Sequence, residues 1–209
     1  MLYDDLLDLL RRRRSPYAFD GRAVSDSDLA RVFEAARWAP SSRNEQPWRF
    51  IVGRRGDAAY DAILSTLTGR NPTWARTAPV LGLGLAARTF ARGGADNGHR
   101  RHDLGAAGLA LSLAAATRGL GVHQMGGVDG EAAAEAFGVP DAFEVVVAFA
   151  LGHPAPDPTA LVPADLAARA TSPKPRRPLG ETVFGPSWDE PLLSPPALQT
   201  AAPPERDGP

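Results

Sequence analysis

The chain has 209 residues, 23 basic and 24 acidic, with a formal net charge of −1 and no cysteine. That length fits one domain that buries its own core, and the missing cysteines exclude disulfide scaffolds, thiolate metal centres and thiol nucleophiles. The near-neutral balance argues against a nucleic-acid or membrane-surface binder, and no apolar run reaches the ~18 residues of a membrane span.

Residues 2–14 predict an amphipathic helix with Leu2, Leu6, Leu9 and Leu10 on one face and Pro16 as its stop. Its acidic first turn and basic last turn suit the helix dipole. They also reverse the charge order of a secretory leader, so a cytoplasmic protein is expected. Ser25 reads as the N-cap of a second helix, with Asp28 three residues on and an apolar stripe of Leu29, Val32, Phe33 and Ala36 before Pro40. Residues 40–47 form a polar loop, 49–53 a strand, 57–67 a helix, 79–87 an apolar run of strand length and 91–99 a loop. The most apolar helix spans 102–118, with Leu104, Leu109, Leu111 and Leu113 spread around it. Such a helix must be covered on all sides, which in a short chain predicts a second subunit, although a monomeric core satisfies the same pattern. A strand at 122–125, a helix capped by Asp129 and a strand at 144–151 follow. Helices and strands alternate around one sheet, so the class is α/β or α+β. The domain is placed at 1–185, and the proline-rich residues 186–209 read as a tail.

Four clusters carry candidate chemistry, and each also has an ordinary structural reading. Arg11–Ser15 ends a helix in four arginines and a serine, which can converge on a phosphate or simply form a solvated helix end. Lys174-Pro175-Arg176-Arg177, which contains the only lysine, can complete a dianion site or be a basic linker. The 40–47 loop offers short amide and hydroxyl groups suited to the edge of a heteroaromatic ring, with Trp48 as an apolar wall; it can equally be a turn with ordinary cap residues. Gln124-Met125-Gly126-Gly127 allows a flat ligand close to the backbone, or is a plain strand-to-helix turn. Gly82-x-Gly84-x-x-Ala87 with Asp103 mimics a dinucleotide fingerprint, but its glycines lie within the apolar run rather than in a turn opening a helix. The histidines lack a carboxylate cluster, so no metal site is expected.

In order, the segments RRRRSPYAFD, SDSDLARVFEAARWAPSSRNEQPWRFIV, WARTAPVLGL, GLGVHQMGGVD and KPRRPLGETVFG resemble the nitroreductase family of FMN enzymes over roughly residues 3–185. The resemblance implies an α+β fold with a central, mainly antiparallel sheet flanked by helices. It also implies an intertwined homodimer with FMN at the interface. Arg13, Arg14 and Ser15 match phosphate and ribityl contacts, and Lys174 and Arg176 match the later basic pair. Pro40, Ser41, Ser42 and Asn44 match a loop that reaches the flavin from the other subunit. Asn71 matches a contact to the pyrimidine side, and Gln124, Met125, Gly126 and Gly127 match the segment at the reactive edge, with the Gly126 N–H near N5. Tyr17 and Trp74 stand where positive side chains are usual, which implies a lower flavin potential. The implied activity passes electrons from NADH or NADPH through FMN to a flat aromatic acceptor such as a nitroaromatic or quinone, with no protein side chain as catalyst. Dehalogenation, flavin destruction and flavin binding without turnover are the alternatives.

Overall fold

In a computed structural model of the chain, which describes residues 3–193, the residues up to Thr171 form one compact unit and those from Ser172 a second. The first unit opens with α1 (Tyr3–Arg12) and α2 (Asp26–Arg37). The Ser25 hydroxyl accepts the Asp28 N–H at 3.1 Å, so the capping signal acts as the sequence predicts. Strand β1 (Trp48–Arg54), helices α3 (Ala58–Thr66) and α4 (Asn71–Ala75), and strand β2 (Val80–Ala87) follow. Helix α5 (Arg100–Thr117), strand β3 (Gly121–Met125), helix α6 (Gly130–Phe137), strand β4 (Phe143–Gly152) and helix α7 (Ala164–Thr171) complete the unit. Asp129 caps α6 by accepting the Ala132 N–H at 3.0 Å.

The four strands form one antiparallel sheet in the order β1-β2-β4-β3, the α+β architecture expected. Side chains alternate between its faces because successive residues of a strand point in opposite directions. Leu81, Leu83 and Leu85 of β2 join a cluster with Ile63 of α3, Trp74 of α4, Ala133 of α6 and Leu166 of α7. Val80 and Ala86 face the other way, into a cluster with Val32 of α2 and Leu104, Ala107 and Leu111 of α5. The sheet therefore lies between two helical layers. Gly82 pairs directly with Phe149, and a methyl group at Gly82 would overlap the Phe149 ring. The fingerprint-like glycines thus serve packing in the middle of a sheet, Gly82 against the Phe149 ring and Gly84 against Val147 and Leu104.

Helix α5 is less completely covered than its composition predicts. Leu104 and Leu111 are buried, but Leu109 is 48% exposed and Gly105 is exposed beside it. One stripe of a strongly apolar helix is therefore open in the single chain. Among the described residues, no helix is long and apolar enough to cross a membrane.

In the second unit, Leu179–Glu181 make a short helical turn. The Leu192 N–H donates to the Val183 carbonyl and Phe184 packs on Trp188, so the start of the proline-rich stretch is a tight turn. Residues 194–209 of that stretch lie outside the described residues.

Candidate active site

Three distant stretches meet on the open side of α5. Arg13 and Ser15, just past the end of α1, line a groove of about 200 Å³ with Gly105, Leu109 and Ser112 of α5 and Gln124 of β3. The Arg13 guanidinium donates to the Ser15 hydroxyl at 3.2 Å. The Gln124 amide donates to the Gly108 carbonyl at 2.9 Å and to the Ser112 hydroxyl at 3.2 Å. Gly108 permits that approach, since a Cβ there would stand 2.7 Å from the Gln124 side-chain oxygen. The groove thus offers one fixed cation, two hydroxyls and an amide beside the apolar Leu109, a donor set that fits a phosphorylated polyol leading to a flat ring.

The other arginines of the run do not share the groove lining. Arg11 pairs with Asp8 at 3.5 Å, the Arg12 side chain donates to the Asp8 carbonyl, and Arg14 is exposed. Arg11 and Arg12 diverge by ~100° as consecutive helical residues, and Arg13 and Arg14 follow the end of the helix, so the run does not present one face.

Beyond Gln124, Met125 is buried, whereas Gly126 is exposed with open space where a side chain would stand. The Asn71 amide donates to the Gly127 carbonyl at 2.9 Å, which ties the start of α4 to the end of β3. That bond leaves the Asn71 oxygen as an acceptor.

Behind β3, on the face opposite Gln124, three rings pack together. His123 stacks on Trp74 at 4.3 Å, and Tyr17 meets the edges of both, at 4.6 Å and 5.4 Å. Trp74 is 1% exposed, so it belongs to the core rather than to the open groove. His123 Nδ1 lies 2.9 Å from the Pro16 carbonyl and must be the protonated nitrogen, because a carbonyl only accepts. Burial pushes the His123 pKa down, and Arg13 adds to that shift against the opposing pull of the Pro16 carbonyl. Burial and Arg13 thus favour the neutral ring.

Pro40, Ser41, Ser42 and Asn44 are not brought to this groove. Their loop docks at the first turn of α5, where the Ser42 N–H donates to the Asp103 carboxylate at 3.0 Å. At ~100° per residue, Asp103 lies on the opposite side of α5 from Gly105, Leu109 and Ser112. Trp48, read from sequence as an apolar wall, is instead buried in the core with Val32 and Ala36, because it alternates inward at the start of β1.

The loop backbone is unusual. Arg43, Asn44 and Gln46 have φ of 55°, 57° and 51°, which costs roughly 1–2 kcal/mol per residue outside glycine. The Ser41 hydroxyl accepts the Gln46 N–H at 3.0 Å, Glu45 accepts the Ala91 N–H at 2.7 Å, and Arg43 lies 4.7 Å over the Phe90 ring. Neither the Ser42 hydroxyl nor the Asn44 side-chain amide makes a hydrogen bond within the described residues, so both are available to a ligand. Asp103, noticed in the sequence only as the acid of a decoy fingerprint, makes the contact that sequence reasoning missed. An acid in the first turn of a helix is common to many helices.

Lys174 and Arg176 are exposed residues of the second unit, where the Arg176 side chain donates to the Lys174 carbonyl at 2.8 Å.

The model of the nitroreductase family matches the chain over residues 10–73 and 66–153. A 15.4 kDa protein from the ask 5′ region of Mycolicibacterium smegmatis is 39% identical over 155 residues, which is 69% of this chain and 99% of that one. A protein of Archaeoglobus fulgidus named as an NADH dehydrogenase/NAD(P)H nitroreductase is 43% identical over 51 residues, 24% of this chain and 29% of that one. A solved structure described as an oxidoreductase containing FMN superposes with a TM-score of 0.80 at 32% identity, covering 86% of this chain and 91% of that one. The matched model takes in α1's end, the strained loop, the Asn71 turn and the Gln124 strand, and on that ground the chain belongs to the nitroreductase family.

Proposed function

We propose that the protein is an FMN-dependent oxidoreductase that takes reducing equivalents from NADH or NADPH and passes them to a flat, electron-poor acceptor such as a nitroaromatic or quinone. The observation that carries this reading is the groove itself, in which Arg13 and Ser15 from just past the end of α1 and Gln124 from β3 converge on the open stripe of α5. The name of the Archaeoglobus fulgidus relative supports the nicotinamide donor, and the FMN-containing structure supports the cofactor.

The chemistry FMN supplies when bound is two-electron transfer from reduced nicotinamide to the acceptor. The chain's residues bind and orient. Arg13 and Ser15 hold the phosphate and ribityl end, with Arg14, which stands outside the groove lining, adding its charge and Lys174 and Arg176 as the second basic pair. Asn71 presents its side-chain oxygen to the pyrimidine edge. Gln124, Met125, Gly126 and Gly127 line the reactive edge, where the open space at Gly126 leaves room for a flat donor or acceptor. No carboxylate or histidine is needed as acid or base.

A homodimer completes the site. Leu109 and Gly105 stay open in one chain, and Pro40, Ser41, Ser42 and Asn44 stand on the far side of α5 from their own groove. Two chains packed on the open stripes let each loop serve the other chain's groove. The proposed working form is a cytoplasmic homodimer, with 1–185 as the cofactor-binding region and 186–209 as an accessory tail.

The test is direct. Purified protein given FMN should retain it, and NADH or NADPH added without oxygen should bleach the flavin band, which returns when a quinone is added. Protein that takes up no FMN overturns the reading, and uptake without bleaching reduces it to flavin binding. Arg13→Ala and Lys174→Ala should each weaken FMN binding by about 1.5–3 kcal/mol, the scale of a charge-assisted hydrogen bond.

A further inference from the structure

We infer that Asp103 sets the binding geometry of the 41–46 loop, so that a carboxylate in one subunit governs cofactor affinity at its partner's groove without touching the cofactor. This rests on the proposed FMN site and deepens it.

The loop cannot hold its shape by local preference. Three residues that are not glycine occupy left-handed backbone within four positions, and elsewhere among the described residues only Asp189 does so. Such a segment persists only where its surroundings over-determine it. Internal bonds from Ser41 to Asn44 and Gln46 shape the turn but do not attach it to the body of the protein. Attachment comes from Glu45 and Arg43, which reach the 88–99 loop, and from Asp103. Asp103 differs from the other two anchors. It is 2% exposed and belongs to the first turn of an 18-residue helix. Its bond falls on Ser42, between the proposed ligand groups Ser41 and Asn44. A buried carboxylate accepting a backbone N–H is a strong, well-aimed bond that little solvent competition weakens.

Helix α5 therefore does two jobs on opposite sides. Gly105, Leu109 and Ser112 line the groove for the cofactor of their own chain. Asp103 fixes the loop that serves the other chain. Arg13 acts in cis and Asp103 in trans, and a mixed dimer separates the two.

Asp103→Ala should remain dimeric and lose FMN affinity by at least tenfold. Asp103→Asn, which keeps an acceptor of the same shape, should lose several-fold less. A dimer of one Asp103→Ala chain and one Arg13→Ala chain should regain one site of wild-type affinity, since one groove then has an intact Arg13 and an intact partner loop. Two weakened sites in that mixed dimer would overturn the trans role. Wild-type affinity in Asp103→Ala, with Arg13→Ala weakened, would overturn the positioning role while leaving the FMN site standing. Wild-type protein that takes up no FMN, or Arg13→Ala that binds as wild type, would remove the cofactor site and this inference with it. If Asp103→Ala does not fold, Asp103→Asn carries the test, with a threefold to tenfold loss expected and unchanged affinity decisive against.

Discussion

The two protein segments that frame the candidate site are held by different means. Residues 124–127 continue a strand, and regular structure places them. Met125 is paired with Ala148 in the sheet, Gln124 reaches α5, and Gly127 is tied to Asn71. Residues 41–46 follow a helix and precede a strand, yet belong to neither. Their backbone is left-handed at three positions, and it is held by Asp103 of α5 and by the Phe90 ring and Ala91 N–H of the 88–99 loop. A segment of the first kind tolerates the loss of any single contact. A segment of the second kind depends on a few anchors, so damage to those anchors should have effects out of proportion to their number.

The largest expected effect lies under the anchors themselves. Glu144, buried at the start of β4, accepts from Arg100 at 2.6 Å and from Arg101 at 2.8 Å, with Arg88 at 3.6 Å. It thereby joins the sheet to the first turn of α5 and to the end of β2, the two supports of the strained loop. Glu144→Ala removes the carboxylate that three guanidinium groups share, although Arg88 keeps the Asp141 carbonyl and Arg100 keeps Asp96 and the Asn97 carbonyl. Arg101 still reaches solvent, so the expected loss is about 2–3 kcal/mol, less than breaking a fully buried pair costs, read as a lower urea midpoint. The same carboxylate should show in acid. Hydrogen bonding from Arg101 and then Arg100 outweighs burial and holds its pKa at about 2, against an ordinary value of 4.5. A carboxylate with a depressed folded value stabilises the fold above its unfolded pKa and loses that contribution as pH falls toward the folded one. Stability should therefore drop between pH 4.5 and about 2 in the wild type. Glu144→Gln should be less stable at neutral pH and show a shallower drop across that window.

The contrast between the two segments also decides what could be read in the sequence. The caps at Ser25 and Asp129 and the apolar periods of the strands fix their elements locally, and the structure places those elements within a residue or two of expectation. Helix α4 has five residues, too few for a periodic signal, and was not legible as a helix. The left-handed turn was invisible for a different reason. Arg43 and Gln46 are not residues that seek positive φ, so the conformation is imposed by tertiary contacts. Asp103 acts on Ser42, 61 positions earlier, a pairing that no local pattern encodes. Of the site, the types of residue at 13–15 and 124–127 were legible. That α5 stands between the groove and its own chain's loop required coordinates.

A smaller effect is expected where the strand-held segment meets α5. Gly108→Ala places a Cβ 2.7–3.0 Å from the end of the Gln124 amide, a flexible exposed group that can swing away. The fold should lose less than about 1 kcal/mol, because alanine's helix preference over glycine offsets part of the two hydrogen bonds that Gln124 gives up. The informative reading is FMN affinity, which should fall if the Gln124 amide is held at the ring edge as proposed, and should not change if Gln124 serves only to pack β3 on α5.

The smallest effect tests whether the left-handed backbone is a cost to the fold. Gln46→Gly relieves the φ of 51° but surrenders an exposed hydrogen bond from the Gln46 amide to the Asn44 carbonyl at 3.1 Å. Relief is worth roughly 1–2 kcal/mol. Against it stand about 0.5–1 kcal/mol for the hydrogen bond and a similar amount for the freer unfolded chain of glycine. The terms nearly cancel, so the urea midpoint should move by less than the equivalent of ~0.5 kcal/mol, the range of an ordinary surface change. A loss well above 1 kcal/mol would mean that Gln46 itself anchors the turn. The division between internal shaping by Ser41 and external anchoring by Asp103 would then have to be redrawn.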